Sequence, residues 1–517
     1  MGRGAMETTL GSLLMHTAET FPEKPALVCD QEKLTYRELD KSVDSFVHFM
    51  TNLGIGKGTK IALLLKDSIA YVKCLFAANR IGAISVPINT RLKTQEIISL
   101  LKQSESHVLI YGNAFSPIVH KFRDSTAIRH YHNILEFLET DRRGDFIEES
   151  APDPSPSTRG TDHVATLLFT SGTTSARPKA AVLTNHNHIR VVETLKIDYG
   201  IATEDILLTA TPLFHTSGLH RCIGAVALGC THILMPKFDP RQFLHLVETE
   251  HVSYTFLVPT MFAMIEKELS AKEFDTSSLR LLFTGAARAH PDILDRMRAF
   301  FPEAEICMSY GCTECFTVSI IRAADLRKKW GSIGTSVSNA QLRLCDDSGS
   351  EVLKGETGEV WVKGPNVAKC YYRDIEATQE AFTMGWFKTG DLGKSDDEGF
   401  IYLVDRKKDI IISGAENISS MEVEDVLYSN EKVLEAAVIG VPDDLWGESV
   451  RALVVKKPQT DLTEEEVIDF CDKRLARYKR PKSVVFLDCL PKNASNKILK
   501  RELKERFGRQ KDEAEMR

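Results

Sequence analysis

Short apolar runs alternate with amphipathic stretches through the first part of the chain. Residues 61–65 and 84–87 are compact and mostly apolar, whereas residues 69–80 carry apolar side chains at helical spacing. Compact apolar runs are typical of buried strands, and apolar residues that recur three or four positions apart are typical of helices. The alternation between residues 10 and 149 therefore predicts an α/β layer built on a parallel sheet.

A second α/β alternation is expected after a linker near residues 151–160. The run Ala-Pro-Asp-Pro-Ser-Pro-Ser at 151–157 is incompatible with regular structure. Strands are predicted at 164–169 and 279–284, and a helix is predicted to begin at His290 and Pro291. These strands end in small or polar residues, and open α/β sheets bind ligands at the carboxyl ends of their strands. We therefore expect a binding site at that edge.

The last part of the chain changes pattern twice. Between residues 331 and 404, short strands are separated by tight turns such as Asp-Asp-Ser-Gly at 346–349, which predicts a β-rich unit. From residue 406, helix and strand patterns alternate in a more charged sequence. We expect a large domain at 1–405 and a small domain at 406–517.

Composition and charge narrow the class of protein. The chain of 517 residues is 43% hydrophobic and 26% charged, which is typical of a soluble globular protein. Its formal charge of −7 provides no basic surface for nucleic acid. No apolar run approaches the roughly 20 residues that span a bilayer. We expect neither a nucleic-acid partner nor an integral membrane segment.

The cysteines indicate a cytoplasmic protein with reduced thiols. There are eleven, an odd number, and they are scattered without a disulfide-like framework. Cys312 and Cys315 form a C-x-x-C. Because no second pair lies nearby in the sequence, we expect packing there rather than a zinc site.

A loop of hydroxyl side chains follows the predicted strand at 164–169. It runs from Thr170 to Lys179 and contains Gly172. Consecutive backbone N–H groups in such a loop can surround an oxyanion, while hydroxyls and a lysine add donors and charge. The common pattern G-x-x-x-x-G-K-[ST] does not occur in the chain. The loop is a candidate for binding polyphosphate, with a Ser/Thr-rich surface turn as the alternative.

Six motifs in order give the chain a family resemblance. They lie at 170–179, 212–218, 310–314, 389–391, 405–424 and 491–497. Together they resemble the adenylate-forming superfamily of acyl- and aryl-CoA synthetases, luciferase and adenylation domains, over residues 10–501. The resemblance implies a multidomain α/β fold with two layered α/β subdomains and a small β-barrel-like unit in the large domain. A small, mobile α+β domain would follow it.

The resemblance also implies a two-step ligase that uses ATP, Mg²⁺ and coenzyme A. A carboxylate attacks the α-phosphate of ATP and releases pyrophosphate, and the thiol of coenzyme A then displaces AMP from the acyl-adenylate. A free carboxylate is a poor electrophile because its leaving group would be oxide. Positioning and charge neutralisation are therefore expected to carry most of the catalysis.

The family's nucleotide site can be carried over residue by residue. The resemblance assigns the β- and γ-phosphates to Thr170, Ser171, Gly172, Thr173, Thr174 and Lys179, the adenine pocket to Gly285, Ala286, Ala287, Ser309, Tyr310 and Gly311, and the ribose to Asp391 and Arg406. It implies that Thr313 contacts the α-phosphate. Glu314 and Thr170 would hold Mg²⁺, which prefers oxygen ligands. A solvated surface glutamate is the alternative for Glu314, and a turn aspartate is the alternative for Asp391.

The phosphate loop departs from the family pattern. Ser175, Ala176 and Arg177 precede Pro178, and Ala180 follows Lys179, so that two glycines are lost and one residue is gained. Fewer glycines leave fewer positions free to adopt a positive φ, which makes the loop stiffer. Phosphate binding is still expected, and the position of Lys179 is open.

Two lysines near the carboxyl end carry the implied mechanism. Lys497 would bridge the attacking carboxylate and the α-phosphate, and Asn496 before it replaces the usual glycine. The small domain of the family rotates between the two steps, and Lys408 stands at its hinge. Gly414 and Ala415 would then line the tunnel for the pantetheine arm of coenzyme A.

The acid substrate is narrowed by His215. In the family, a histidine or aromatic residue there stands beside the acyl pocket, and we assign His215 a catalytic role. The segment from Phe214 to Ser217 lacks the aspartate with which amino-acid-activating members pair the α-amino group, so a cationic amino acid is disfavoured. Phe316 would shorten the pocket if it points inward. Medium-chain fatty, branched and aryl acids all stay open.

Several alternatives remain at this stage. The adenylate could pass to a carrier-protein thiol instead of coenzyme A, or be oxidised as in luciferase. A nucleotide-binding sensor without activity is a third reading, although pure binding requires neither Glu314 nor Lys497. A homodimer is left open.

Overall fold

The computed structural model describes residues 9–143, 161–170, 178–270, 273–286, 291–414, 416–492 and 498–508. These residues form two compact units. The first unit takes its described residues from 1–170, 178–342 and 362–387. The second takes them from 343–361 and 388–517. The expected boundary between residues 405 and 406 stays a prediction, as does the linker near 151–160, which lies outside the described residues.

The helices of the described residues are short to medium in length. They are α1 (Leu10–Thr20), α2 (Tyr36–Asn52), α3 (Ile69–Arg80), α4 (Thr94–Ser104), α5 (Ser116–Phe122), α6 (Ile134–Arg143), α7 (Asn185–Ile197), α8 (Thr216–Leu228), α9 (Pro240–Thr249), α10 (Pro259–Glu268), α11 (Pro291–Phe300), α12 (Ala323–Leu326), α13 (Ile375–Ala381), α14 (Ser420–Tyr428), α15 (Glu464–Asp472) and α16 (Lys500–Phe507). No helix within the described ranges has both the length and the apolar character needed to cross a membrane.

The strands alternate with these helices. They are β1 (Pro25–Cys29), β2 (Glu32–Thr35), β3 (Lys60–Leu64), β4 (Ile84–Pro87), β5 (Val108–Tyr111), β6 (His130–Asn133), β7 (Val164–Phe169), β8 (Ala180–Thr184), β9 (Ile206–Thr209), β10 (Thr231–Leu234), β11 (Tyr254–Leu257), β12 (Leu281–Gly285), β13 (Glu305–Cys312), β14 (Phe316–Ile321), β15 (Ser332–Ser336), β16 (Gln341–Cys345), β17 (Gly358–Lys363), β18 (Phe382–Thr383), β19 (Trp386–Ser395), β20 (Ile401–Arg406), β21 (Ile411–Ser413), β22 (Glu416–Ile418), β23 (Val433–Asp443), β24 (Gly447–Lys456) and β25 (Ser483–Phe486).

Two largely parallel sheets form the first unit. One has the strand order β6-β5-β3-β4-β7-β8, and only β7 and β8 pair in antiparallel fashion. In the other, β12, β11, β9, β10 and β1 are parallel neighbours in that order. The hairpin partner β14 continues this sheet beyond β13. The predicted α/β layers are confirmed, and the helix predicted at 69–80 is α3.

Helix α3 shows how the core of the first unit is built. All of its residues except Ala70 are buried, including Arg80 at its end. The Arg80 guanidinium meets Asp40 at 2.5 Å and Asp44 at 2.6 Å, both from α2. A charge buried at this depth is tolerated because two carboxylates neutralise it.

The second unit combines two β layers with three helices. Strands β16, β17, β19 and β20 lie side by side in that order. This is the β-rich unit that the resemblance implied, and the described residues show no closed barrel. A separate sheet has the order β22-β21-β24-β23, with β25 paired to β24. Helices α14 and α15 supply apolar side chains to the core of this sheet. This is the expected small α+β domain.

Candidate active site

The motif from Tyr310 to Glu314 forms the tip of the β13–β14 hairpin. Gly311 pairs with Thr317 and Cys312 pairs with Phe316, so Thr313 and Glu314 stand in the turn. A Cβ atom on Gly311 would lie 1.6 Å from the Phe316 carbonyl oxygen, which leaves room only for glycine. Since β12 and β13 are parallel, the hairpin tip lies at the edge where these strands end.

Glu314 is held in place by Tyr371. The Tyr371 hydroxyl donates a hydrogen bond of 2.6 Å to Glu314 Oε1, and both side chains are buried. Burial, followed by the charge of Glu314, raises the pKa of Tyr371 far above its ordinary value. The tyrosine therefore stays protonated and acts as a permanent donor to the carboxylate.

Lys179 completes this group from the phosphate loop. Its ammonium lies 4.9 Å from the centre of the Tyr371 ring, a cation–π contact. At the base of the loop, Thr170 N–H donates to the Lys179 carbonyl at 2.8 Å, and Lys179 N–H donates to Thr170 Oγ1 at 3.2 Å. Thr170, Lys179 and Glu314 thus belong to one site. Ser171, Gly172, Thr173 and Thr174 lie outside the described residues.

The end of β12 forms the neighbouring wall. Gly285 pairs with Ser309, and a Cβ atom on Gly285 would lie 2.4 Å from the Ser309 carbonyl oxygen. Ala286 has a φ of +63°, a backbone conformation uncommon for a residue other than glycine. The chain therefore turns sharply at the point where the adenine pocket is predicted. Ala287 lies outside the described residues.

His215 stands at the N-terminal end of α8 and is partly buried. Burial, and then the positive charge of Arg91, lower the pKa of His215 to about 4. The imidazole is therefore neutral near pH 7. Its ring centroid lies 4.7 Å from that of Phe214. His215 therefore offers an uncharged aromatic wall at the predicted acyl pocket.

Phe316 points into the core. It is 2% exposed and has a φ of +56°. Its ring centroid lies 5.5 Å from that of His188 on α7 and 6.1 Å from that of His220 on α8. Phe316 therefore packs in the core with residues of α7 and α8, and a shortened acyl pocket stays a prediction.

Cys312 and Cys315 are free thiols whose sulfur atoms lie 3.2 Å apart. Cys315 belongs to an apolar cluster with Val318, Val337 and Val362. The contact with Cys315, followed by burial, raises the pKa of Cys312. No cluster of three or more metal-binding side chains occurs among the described residues. The pair packs as two free thiols.

In the second unit, Asp391 and Arg406 face each other across β19 and β20. Arg406 Nε lies 2.9 Å from Asp391 Oδ1, and Asp391 is 8% exposed. Gly390, which has a φ of +74°, donates its N–H to Glu359 Oε1 at 3.0 Å. The two predicted ribose contacts are thus adjacent and fixed to each other.

The predicted hinge lies just after this pair. The Lys408 carbonyl accepts a hydrogen bond of 3.3 Å from Lys504 Nζ, and burial lowers the pKa of Lys408 to about 8. Asp405 caps α14 by accepting hydrogen bonds from Ser420 N–H at 2.5 Å and Ser420 Oγ at 2.7 Å. These hydrogen bonds join Asp405, which precedes Lys408, to α14, which follows it, and the hinge at Lys408 stays a prediction.

Gly414 packs closely against Trp446. It has a φ of +59°, and a Cβ atom on it would lie 2.6 Å from Trp446 Cε3. The Gly414 N–H donates to the Trp446 carbonyl at 2.8 Å. Ala415 beside it lies outside the described residues, so the predicted pantetheine tunnel is described only on its Gly414 side.

Two protein-family models match the sequence of this chain. The family model described as AMP-binding enzyme matches residues 14–372, and the model for the C-terminal domain of the same enzymes matches residues 422–497. The chain belongs to the AMP-binding enzyme family. This is the adenylate-forming superfamily that the six motifs resemble, and the resemblance is therefore confirmed.

Similar proteins cover almost the whole chain of this AMP-binding enzyme. A feruloyl-CoA synthase of Amycolatopsis is 37% identical over 505 residues, covering 96% of this chain and 99% of its own. A long-chain-fatty-acid–CoA ligase of Mycobacterium tuberculosis is 33% identical over 501 residues, with coverage of 96% and 98%. The solved o-succinylbenzoate–CoA synthetase of Bacillus subtilis with ATP and magnesium has a TM-score of 0.86 at 32% identity, with coverage of 95% and 99%.

The motifs of this AMP-binding enzyme did not predict Tyr371, which contacts two of the predicted site residues. The segment around it runs along β8, where Lys369 N–H donates to the Val182 carbonyl and Tyr372 N–H donates to the Ala180 carbonyl. This pairing brings Tyr371 beside both Lys179 and Glu314. In the sequence, Tyr371 lies outside all six motifs, so only the fold could reveal it. Lys497 lies outside the described residues, and its role stays a prediction.

Proposed function

We propose that this AMP-binding enzyme is an ATP-dependent acid–CoA ligase. It joins a carboxylic acid to AMP with release of pyrophosphate, and then transfers the acyl group to coenzyme A with release of AMP. The observation that carries the proposal is the group formed by Lys179, Tyr371 and Glu314 at the ends of the parallel strands. The similar synthetases and ligases, each aligned over nearly its full length, support the same reaction.

The site chemistry suits charge neutralisation around a triphosphate. Lys179 brings a cation to the end of the phosphate loop, and the backbone of Thr170 holds that end closed. Opposite, Glu314 is a buried carboxylate whose orientation is fixed by Tyr371. Fixed charges of both signs in a partly desolvated site stabilise developing charge without reorganising.

Magnesium fits this donor set. Glu314 and Thr170 offer a carboxylate and a hydroxyl, which are hard oxygen ligands, and Mg²⁺ commonly takes one or two protein ligands together with substrate phosphates. When bound, the ion neutralises phosphate charge. Glu314 would hold it, and Tyr371 would keep the Glu314 carboxylate in position.

The remaining roles follow the motifs. We assign the α-phosphate contact to Thr313, the ribose to Asp391 and Arg406, the acyl gate to His215 and the bridging charge in the first step to Lys497. Lys408 serves as the pivot for the second step, with Gly414 and Ala415 at the pantetheine arm. Asp391 and Arg406 pair across β19 and β20. This adjacency supports the ribose assignment, because a carboxylate acceptor and a guanidinium donor lie side by side.

The acid is a fatty or aryl carboxylic acid. The names of the similar proteins include a long-chain fatty acid, a feruloyl group and o-succinylbenzoate. All of these names describe the joining of an acid to CoA, but the acid differs from one protein to the next. They therefore support an acid–CoA ligase and do not indicate a particular acid. A cytoplasmic location and a part in fatty acid metabolism accord with the free thiols and these names.

Acid-dependent exchange of labelled pyrophosphate into ATP tests the first step. The purified chain is incubated with ATP, Mg²⁺ and single acids, and exchange should appear only with the acids that are substrates. Coenzyme A or a phosphopantetheine-bearing carrier protein is then added, and the thioester is measured. Thioester on coenzyme A supports the proposal, and thioester on the carrier alone redirects it. ATP binding without exchange for any acid would indicate a sensor.

A further inference from the structure

Arg221 on α8 is a buried cation without an acidic partner. It is 2% exposed, similar to Arg80. Arg80 is neutralised by Asp40 and Asp44, but no carboxylate pairs with Arg221 among the described residues. An arginine remains charged inside a protein, and burying an unpaired charge is costly. This cost suggests that the charge serves a purpose other than stability.

The guanidinium is oriented by neutral groups only. Arg221 Nε donates to the Tyr254 hydroxyl at 2.7 Å, and Nη1 donates to the Ser217 carbonyl at 2.6 Å. The guanidinium carbon also lies 4.1 Å from the centre of the Phe256 ring. These contacts fix the plane of the guanidinium, but none of them supplies a negative charge.

The third nitrogen of Arg221 differs from the other two in its contacts. Nη2 makes no hydrogen bond within the described part of the chain. Among the described residues, some fully enclosed polar atoms lack a hydrogen-bond partner, for example Arg80 Nε and Arg298 Nη2. Arg221 Nη2 is not one of these fully enclosed atoms. Nη2 is therefore not completely shielded from solvent.

Arg221 lies next to the predicted adenylate and acyl site. Its bond to Ser217 brings the guanidinium back to the first turn of α8, two residues after His215. On the other side, the Phe256 ring it covers approaches Gly285, where a Cβ atom would lie 3.5 Å from Phe256 Cε2. The charge thus stands between the His215 gate and the end of β12.

We propose that Arg221 is a specificity residue that binds a second, distal carboxylate of the substrate, so that the preferred substrates are dicarboxylic acids. This inference rests on the proposed acid–CoA ligase function. The reacting carboxylate must be free to attack the α-phosphate. We assign the contact with the α-phosphate to Thr313 and the binding of Mg²⁺ to Glu314, both at the hairpin tip. A distal carboxylate can instead pair with the accessible guanidinium edge through charge-assisted hydrogen bonds.

A monocarboxylic acid of the same length lacks this partner. Its apolar end would be placed against a desolvated cation, and a site built for a polar group rejects analogues that lack it. Arg221 therefore favours a dicarboxylic fatty or aryl acid over the plain acid of the same length. The same positive charge disfavours a cationic amino acid, in agreement with the missing aspartate between Phe214 and Ser217.

Matched acid pairs test the proposal. Acid-dependent pyrophosphate release is measured with adipate against hexanoate, suberate against octanoate, and terephthalate against benzoate. We expect kcat/KM for at least one dicarboxylic acid to exceed that for its partner by about a hundredfold or more. If monocarboxylic acids are turned over as well as or better than every dicarboxylic partner, the proposal is overturned while the ligase function stands. No release with any acid would instead remove the proposed function.

Arg221→Met tests the residue itself. The neutral side chain has a comparable length, and we expect it to lower the dicarboxylic-to-monocarboxylic ratio of kcat/KM at least tenfold, mainly through KM for the dicarboxylic acid. Arg241→Met, at an exposed ion pair with Glu273, is the matched control and should leave the ratio unchanged. Arg221→Lys keeps the charge and should retain part of the preference, which provides a test if the Met variant folds poorly. An unchanged ratio in folded Arg221→Met contradicts the proposal.

Discussion

Tyr371 and Glu314 lie 57 positions apart in the chain and are joined by a hydrogen bond of 2.6 Å. Glu314 stands in a turn, where a side chain has many rotamers, so its direction depends on this partner. The ring of Tyr371 also supports the Lys179 ammonium. One tyrosine therefore positions both charged groups that we assign to the triphosphate and its metal ion.

Tyr371→Phe removes the hydroxyl and keeps the ring. We expect pyrophosphate exchange to fall by about 10- to 100-fold, because a positioning bond to a charged group is worth roughly 1.5–3 kcal/mol. The apparent affinity for Mg²⁺ should fall as well, which a loss of stability alone would not cause. Tyr372→Phe is the control, since the Tyr372 hydroxyl bonds to Glu105 at 2.9 Å. Equal losses in both variants would argue against a positioning role.

Lys497→Ala should separate the two half-reactions. A positive charge that brings two anions together is needed only when the acid attacks ATP, so adenylate formation should slow by about 10²–10³-fold or more. Thioester formation from supplied acyl-adenylate should largely persist. Lys492→Ala, in the same motif but paired with Glu435, is the matched control. A similar loss in both half-reactions would contradict the assignment.

The sequence predicts the layers of this fold well because they depend on local patterns. The pattern predicts helix α3 at its observed bounds and short strands at β3 and β4, because the spacing of apolar residues determines both. Whether the β-rich unit closes into a barrel depends on how distant strands pair, which local patterns do not determine. Two separate motifs predict Asp391 and Arg406 as ribose contacts. Their pairing on adjacent strands becomes visible only in the structure.

The roles of side chains outside the motifs could not be predicted from the sequence. Tyr371 and Arg221 occur in stretches that read as ordinary core, and neither has a neighbour in sequence that indicates its role. Their importance depends on partners far along the chain, namely Glu314 for the first and Tyr254 for the second. Such long-range pairs become visible only when strands and helices are placed in space.

Lys408→Pro should uncouple the second step from the first. Proline fixes φ near −65°, so a pivot at this position can no longer rotate. No hydrogen bond of the described residues uses the Lys408 N–H, and therefore the substitution removes none of them. We expect pyrophosphate exchange to be largely kept and thioester formation to drop by at least about tenfold. Lys408→Ala, which stays free to rotate, should retain both activities, and loss of exchange in Lys408→Pro would contradict a hinge.

Buried neutral histidines should make the protein sensitive to acid. Burial lowers the pKa of His188 and His232 to about 3 each, and burial followed by the charge of Arg91 lowers that of His215 to about 4. In the unfolded chain these groups titrate near 6.5, so below that pH the unfolded state binds more protons than the folded state. The free energy of unfolding is therefore fully retained above about pH 6.5. It falls by up to about 1.4 kcal/mol per pH unit for each histidine as the pH drops towards 4.

Urea unfolding between pH 7 and pH 4.5 measures how steeply the free energy of unfolding depends on pH. We expect His188→Gln to reduce that slope. The His188 ring nitrogen Nε2 lies 3.2 Å from Thr166 Oγ1, and a glutamine can keep a polar contact there without titrating. We expect the variant to lose stability at neutral pH but to show a shallower decline towards acid, by about 1.4 kcal/mol per pH unit at most. His245→Gln, at an exposed position on α9, is the control and should follow the native slope. A slope that is the same in the His188 variant would show that His188 does not contribute to acid unfolding.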